Sequence, residues 1–187
     1  MTKTVAEKMK EAIDPYAYKV GMVAYTWNRL TETLALVFAF VTKMQFEMAQ
    51  EIWYTFDNDR SQIKMLQAAI RTAPDDLSAN FPQARADLAW MAERAFNLVD
   101  ARNNVIHAPC IVELEGEAAS AVSDPLSGHE RAKRMRGKSL EEEAEYCISR
   151  CGALEDFAQA IFMALKAAQT AWPGRPALRG RMSQNNS

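Results

Sequence analysis

Residues that break regular structure are scarce in this sequence. Seven glycines and seven prolines in 187 residues are too few for a fibrous or low-complexity chain, or for the many turns of an all-β domain. Three cysteines, Cys110, Cys147 and Cys151, are too few and odd in number for a disulfide framework. The N-terminus shows no apolar core ahead of a cleavage site, so the expected compartment is the reducing cytosol. Long hydrophobic runs are absent as well: the longest, Leu34 to Val41, falls far short of the ~20 residues a membrane span needs. Charge of one sign is not in excess. With 22 Lys+Arg against 24 Asp+Glu and a net charge of -2, bulk attraction to nucleic acid is excluded, and any phosphate site must be local.

What is present is apolar residues, 49% of the chain, enough for one core that needs no cofactor to be stable. They recur at helical spacing. Val23, Trp27, Leu30, Leu34, Val37 and Val41 advance by three or four, predicting a helix that starts near Pro15. A soft break around Lys43 to Gln45 precedes a second pattern, Phe46, Ala49, Ile52, Trp53 and Phe56. Asp57 to Asp59 reads as a turn, with Asp59 and Gln62 as a capping box for a short helix ending at Ala73-Pro74. Pro82 opens a long helix striped by Leu88, Met91, Ala95, Leu98 or Val99, Arg102 and Val105 or Ile106, which Pro109 ends. An irregular excursion follows to Lys138, with a short hairpin expected at Cys110 to Leu114. Ser139 and Glu142 then cap a last helix striped by Leu140, Ala144, Cys147, Cys151, Leu154, Phe157, Ile161, Leu165 and Ala168. The fold class is all-α, a four- to five-helix up-and-down bundle over residues 1–172, followed by a disordered basic tail over 173–187.

One constellation carries chemistry: Arg102-Asn103-Asn104-Val105-Ile106-His107 at the end of the Pro82 helix. Asn103 and His107 share a face, while Arg102 lies about 140° away in the apolar stripe, where a guanidinium must find a carboxylate, a carbonyl or a phosphate. The negative end of the helix dipole is expected to favour protonated His107. Arginine forks onto phosphate oxygens and histidine titrates near neutral pH, a pairing suited to phosphodiester chemistry.

The hexapeptide has the RNxxxH form of the Rx4-6H motif, and its place at the end of a long helix in an all-α chain resembles the HEPN superfamily, with its RNA-processing and toxin-like members. The likeness runs from Tyr18 to Ala171 as a topology and is specific over Asp100 to His107. It implies a homodimer in which two motifs face one another across a cleft and, in many members, a metal-independent endoribonuclease. On that resemblance His107 would be base or acid, Arg102 would hold the scissile phosphate and Asn103 would orient the pair. The products would be a 2′,3′-cyclic phosphate and a 5′-hydroxyl. No metal or other cofactor is implied, and an antitoxin-like protein partner is left open.

Other readings stay open. A non-catalytic helical dimer would bind a nucleotide or protein partner through the same cleft. His107 would in a purely structural role cap its own helix, with Arg102 paired to Glu32 or another carboxylate. A zinc site from His107, Cys110, Cys147 and Cys151 has the wrong spacings, and the last two cysteines lie on an apolar stripe. Arg131, Lys133, Arg134, Arg136 and Lys138 place five positive charges in eight residues. They either track an RNA backbone, with Arg131, Lys133, Arg134 and Arg136 as substrate-binding residues, or pair with Glu141, Glu142, Glu143 and Glu145. The apolar crowding of Met44, Phe46, Met48, Trp53, Tyr54 and Phe56 marks the second helix as a dimer interface or a central bundle member.

Overall fold

A computed structural model describes residues 3–74, 77, 79–116, 118–124, 126–167 and 171–180. Ala168 of the last stripe lies outside that set, as do Pro125 and the tail residues from Arg181 onward. Among the described residues the chain is mostly helical. Its elements are α1 (Val5–Thr42), α2 (Phe46–Tyr54), α3 (Asp59–Thr72), α4 (Ala84–His107), β1 (Cys110–Glu115), β2 (Ala118–Ser123), α5 (Glu130–Met135) and α6 (Leu140–Lys166). By their contacts these residues form two compact units. One comprises residues 3–25, 100–149 and 179–180; the other comprises 26–99 and 150–178.

The second unit holds most of the apolar stripes. Trp27, Leu30, Leu34, Val37 and Val41 of α1 are buried, as are Leu88, Met91, Ala95 and Leu98 of α4 and Cys151, Leu154, Phe157 and Ile161 of α6. Each large side chain withdrawn from water contributes about 1.5–3 kcal/mol, so these stripes dominate the unit's stability. The caps differ in detail from the expected ones. Asn58, not Asp59, caps α3, its side chain accepting from the Ser61 N–H at 2.8 Å. Asp59 instead accepts from Trp27 Nε1 at 3.1 Å, and buried Gln62 donates to the Trp53 carbonyl at 3.2 Å. The far end of α3 is closed by Arg85, whose guanidinium donates to the carbonyls of Ile70 at 2.8 Å and Ala73 at 2.7 Å, satisfying acceptors that the helix leaves open.

The soft break after α1 has a defined geometry. The Lys43 N–H donates to the Phe40 carbonyl and the Met44 N–H to the Ala39 carbonyl, both at 3.1 Å, and Lys43 has φ 56°. This is a Schellman ending with lysine in the left-handed position that glycine usually occupies. A side chain there costs about 1 kcal/mol. Lys43→Gly is therefore expected to stabilise the protein by up to that amount and to raise Tm by about 2–4 °C, read by differential scanning calorimetry. An unchanged or lower Tm would show that the αL cost is already offset.

In the first unit α1 begins ten residues before Pro15 rather than at it. A capping box holds that start: the Glu7 N–H donates to Thr4 Oγ1 at 3.3 Å and the Thr4 N–H returns to Glu7 Oε2 at 2.7 Å, and Pro15 lies inside the helix. The excursion is ordered where described. β1 and β2 form an antiparallel hairpin from Cys110↔Ser123 to Glu115↔Ala118, longer than expected, with Gly116 at φ 59° in its turn. Its base is tied by the Asp124 N–H to the Pro109 carbonyl at 3.0 Å. Short helix α5 follows, a sixth helix beyond the four or five expected, and Ser123 Oγ donates to its Ala132 carbonyl at 3.1 Å. Ala108, Met135 and Leu140 pack together with Tyr16 and Ala121, so the end of α4, the hairpin, α5 and the start of α6 share one small core. Ser139 caps α6 as expected, accepting from the Glu142 N–H at 3.2 Å.

Candidate functional site

Helix α4 carries the RNxxxH hexapeptide in its last two turns, and the first unit's core fixes that end. Tyr16 Oη donates to the Val105 carbonyl at 3.0 Å. Burial, with Cys110 nearby, pushes the Tyr16 hydroxyl up to about 12, so it stays a donor at any physiological pH. Ala108 follows the motif into the core. His107 is left exposed at the helix end, while Arg102 and Asn103 are half-buried.

Arg102 Nη1 donates to Asn103 Oδ1 at 2.7 Å. The expected role of Asn103 is thus narrowed: its contact is with the arginine, which it holds in a set orientation. Asn104 is buried, and its Oδ1 has no hydrogen-bond partner among the described residues; this motif residue was given no role from sequence. The helix dipole does not set the state of His107. Its pKa lies below the ordinary histidine value because partial burial penalises the cation, and because Arg102, Arg131 and His129 repel a further positive charge. At neutral pH the ring is the uncharged form, a proton acceptor.

Arg131 is the member of the basic run whose charge reaches His107. Lys133 turns to Glu130 at 2.8 Å within α5, and Arg134 acts on the same Glu130. Arg136 is exposed. Lys138 lines a cavity of about 420 Å³ with Pro15, Tyr16, Lys19 and Glu141. Of the early α6 acids offered as partners for this run, Glu141 and Glu145 hold Lys19, with Glu145 at 2.7 Å. Removing one of these repulsions should be measurable. Arg131→Ala is expected to raise the His107 pKa toward its ordinary value, followed by the imidazole proton shift in an NMR titration; a fall would contradict the charge arrangement.

His129 is the residue missed from sequence. It sits at the N-cap of α5, where its Nδ1 accepts from the Arg131 N–H at 3.2 Å. Histidine is not a usual cap, and six-residue α5 is too short to announce itself by periodicity. The available signal was that His107 and His129 are the chain's two histidines.

The cysteines form no site with His107. Cys147 and Cys151 are buried in α6, and partial burial pushes the Cys110 thiol up, away from thiolate reactivity. Among the described residues no group of three His, Cys, Asp or Glu is placed to hold a metal ion, and no helix is long and apolar enough to cross a membrane. In the second unit Met44, Phe46, Met48, Tyr54 and Phe56 are exposed around α2, beside a groove of about 540 Å³ lined by Phe40, Phe162, Lys43 and Lys166. Trp53 is the exception in that series, fully buried against Phe38. Taken as a whole, the chain matches no protein-family model, no curated protein and no solved structure in comparisons with each.

Proposed function

We propose that the protein is a metal-independent endoribonuclease of the HEPN kind, working as a homodimer. The observation that carries this reading is the state of His107: an exposed imidazole, kept uncharged by its surroundings, within the field of Arg102 and Arg131. Such a group accepts a proton near neutral pH while the arginines hold an anion beside it. His107 takes the proton of a ribose 2′-hydroxyl, and that oxygen attacks the adjacent phosphorus. The P–O5′ bond breaks, and the departing oxygen receives the proton that His107 took from the 2′-hydroxyl, directly or through water. Arg102, steadied by Asn103, neutralises charge gathering on the phosphate oxygens. The exposed apolar side chains around α2 supply surface for a second copy, or for an antitoxin-like protein.

The test is cleavage of single-stranded RNA by purified protein with excess chelator, with the ends analysed. A 2′,3′-cyclic phosphate and a 5′-hydroxyl are expected. Inertness toward all RNAs, or dependence on a divalent cation, would sink the reading. Light scattering checks the dimer.

A further inference from the structure

The two histidines are brought together by the chain between them. α4 ends at His107, Ala108 packs on Met135 of α5, and the Pro109 carbonyl takes the Asp124 N–H. Ser123 Oγ then reaches the Ala132 carbonyl of α5 at 3.1 Å. Both ends of the hairpin are thereby fastened to α5, whose N-cap is His129. His107 and His129 are both exposed, and Arg102 and Arg131 join them in one electrostatic neighbourhood. Each of the other three opposes a positive charge on His107, and an anion bound among them relieves that opposition.

The cap fixes what His129 can offer. With Nδ1 accepting from the Arg131 N–H, the proton of the uncharged ring sits on Nε2, at the opposite edge of the imidazole. The ring cannot act as a proton acceptor at Nε2 without giving up the cap. It is a hydrogen-bond donor held in a set orientation by its own helix.

We infer that His129 is a phosphate-binding residue: its Nε2–H donates to a phosphate oxygen that Arg102 and Arg131 also hold, beside His107 and within a single chain. The inference rests on the RNA reading above for the source of that phosphate, an internal phosphodiester of single-stranded RNA. The ligand contacts are made by side chains alone. No bond of the substrate is made or broken by His129; it acts by binding and placing the phosphate.

The test uses inorganic phosphate, titrated at pH 7 into isotope-labelled protein while the imidazole nitrogens of both histidines are followed by NMR. The expected result is that both rings respond with one common Kd. His129→Asn is the informative variant, because asparagine is itself a strong N-cap and preserves α5 while removing Nε2. It should weaken phosphate binding about tenfold, the size of a hydrogen bond to a charged group, with α5 amide shifts retained. Phosphate affinity unchanged in His129→Asn, or a response of His107 alone, would overturn the inference. That result, with RNA cleavage still lost in His107→Ala, would leave the nuclease reading standing. Conversely, wild type inert on RNA but binding phosphate at both rings would keep this site and remove the cleavage. A 2′-O-methylated RNA hexamer should bind more tightly than AMP. The reverse order would assign the site to a terminal phosphate and overturn its RNA source.

Discussion

His107→Ala is expected to lower RNA cleavage by about 10²–10⁴-fold, the range that a positioned acid or base contributes, while leaving Tm nearly unchanged. The second half follows from exposure: His107 projects from the end of α4, and substitutions at such surface positions usually cost within about 0.5 kcal/mol. A histidine that merely caps its helix predicts the opposite pattern, stability lost and cleavage kept. The pH dependence separates the readings further. Because the folded pKa of His107 is below its ordinary value, the uncharged base persists on acidification, and the acid limb of kcat/KM should fall below the usual histidine range near 6.5. For stability the sign is the same. The unfolded chain binds the His107 proton more readily than the folded one, so this residue's contribution declines as pH falls through the ordinary value toward the folded one. Arg102→Lys should not restore an Arg102→Ala loss, since a lysine cannot fork onto two phosphate oxygens. A fully active His107→Ala would end the nuclease reading.

Arg175→Ala is expected to destabilise the second unit by about 2–3 kcal/mol, lowering Tm by about 5–10 °C. Asp87 is buried at 6% exposure and accepts from Arg175 Nε at 2.5 Å and from Trp172 Nε1 at 2.7 Å. Without Arg175 its carboxylate keeps one neutral donor in a desolvated place. The arginine side is 45% exposed, so solvent screens part of the attraction and the figure sits below the range for fully buried pairs. Arg175 also lies over the Trp90 ring at 5.4 Å, and Trp172 meets Phe81 at 4.9 Å between centroids. If the stranded charge is the cause, Asp87→Asn should recover part of the loss in the Arg175→Ala background. Independent, additive losses in a double-mutant cycle would refute that cause.

Arg175 also shows where sequence reading stops. The tail from 173 carries no apolar period. Residues 171–180 indeed form no helix or strand, yet Arg175 and Trp172 are tied to Asp87 by contacts 85 or more positions apart. Residues 181–187 lie outside the described set. The long stripes of α1, α4 and α6 were legible because a period of 3.6 sustained over many residues fits a helix and no strand. The end of α1 was blurred because Lys43 occupies a position where glycine would have signalled the stop. The cap of α3 was displaced by one residue because Asn58 and Asp59 are both good caps, and only the Trp27 indole decides which is free to serve. At the site, Arg102, Asn103 and His107 were legible as a local spacing. His129 was not, since its nearness to His107 depends on how the hairpin closes.

That closure separates two distances along the chain. Pro109 and Asp124 are joined at the hairpin's base, so the rungs from Cys110 outward to Glu115 form a side branch off the path linking the two imidazoles. Lengthening the branch at its tip changes loop entropy by only about 0.6 kcal/mol per doubling and leaves the path untouched. The hairpin tip at Gly116 is thus a place where the chain can carry an inserted peptide, a reporter or a recognition loop, without altering the spacing of His107 and His129.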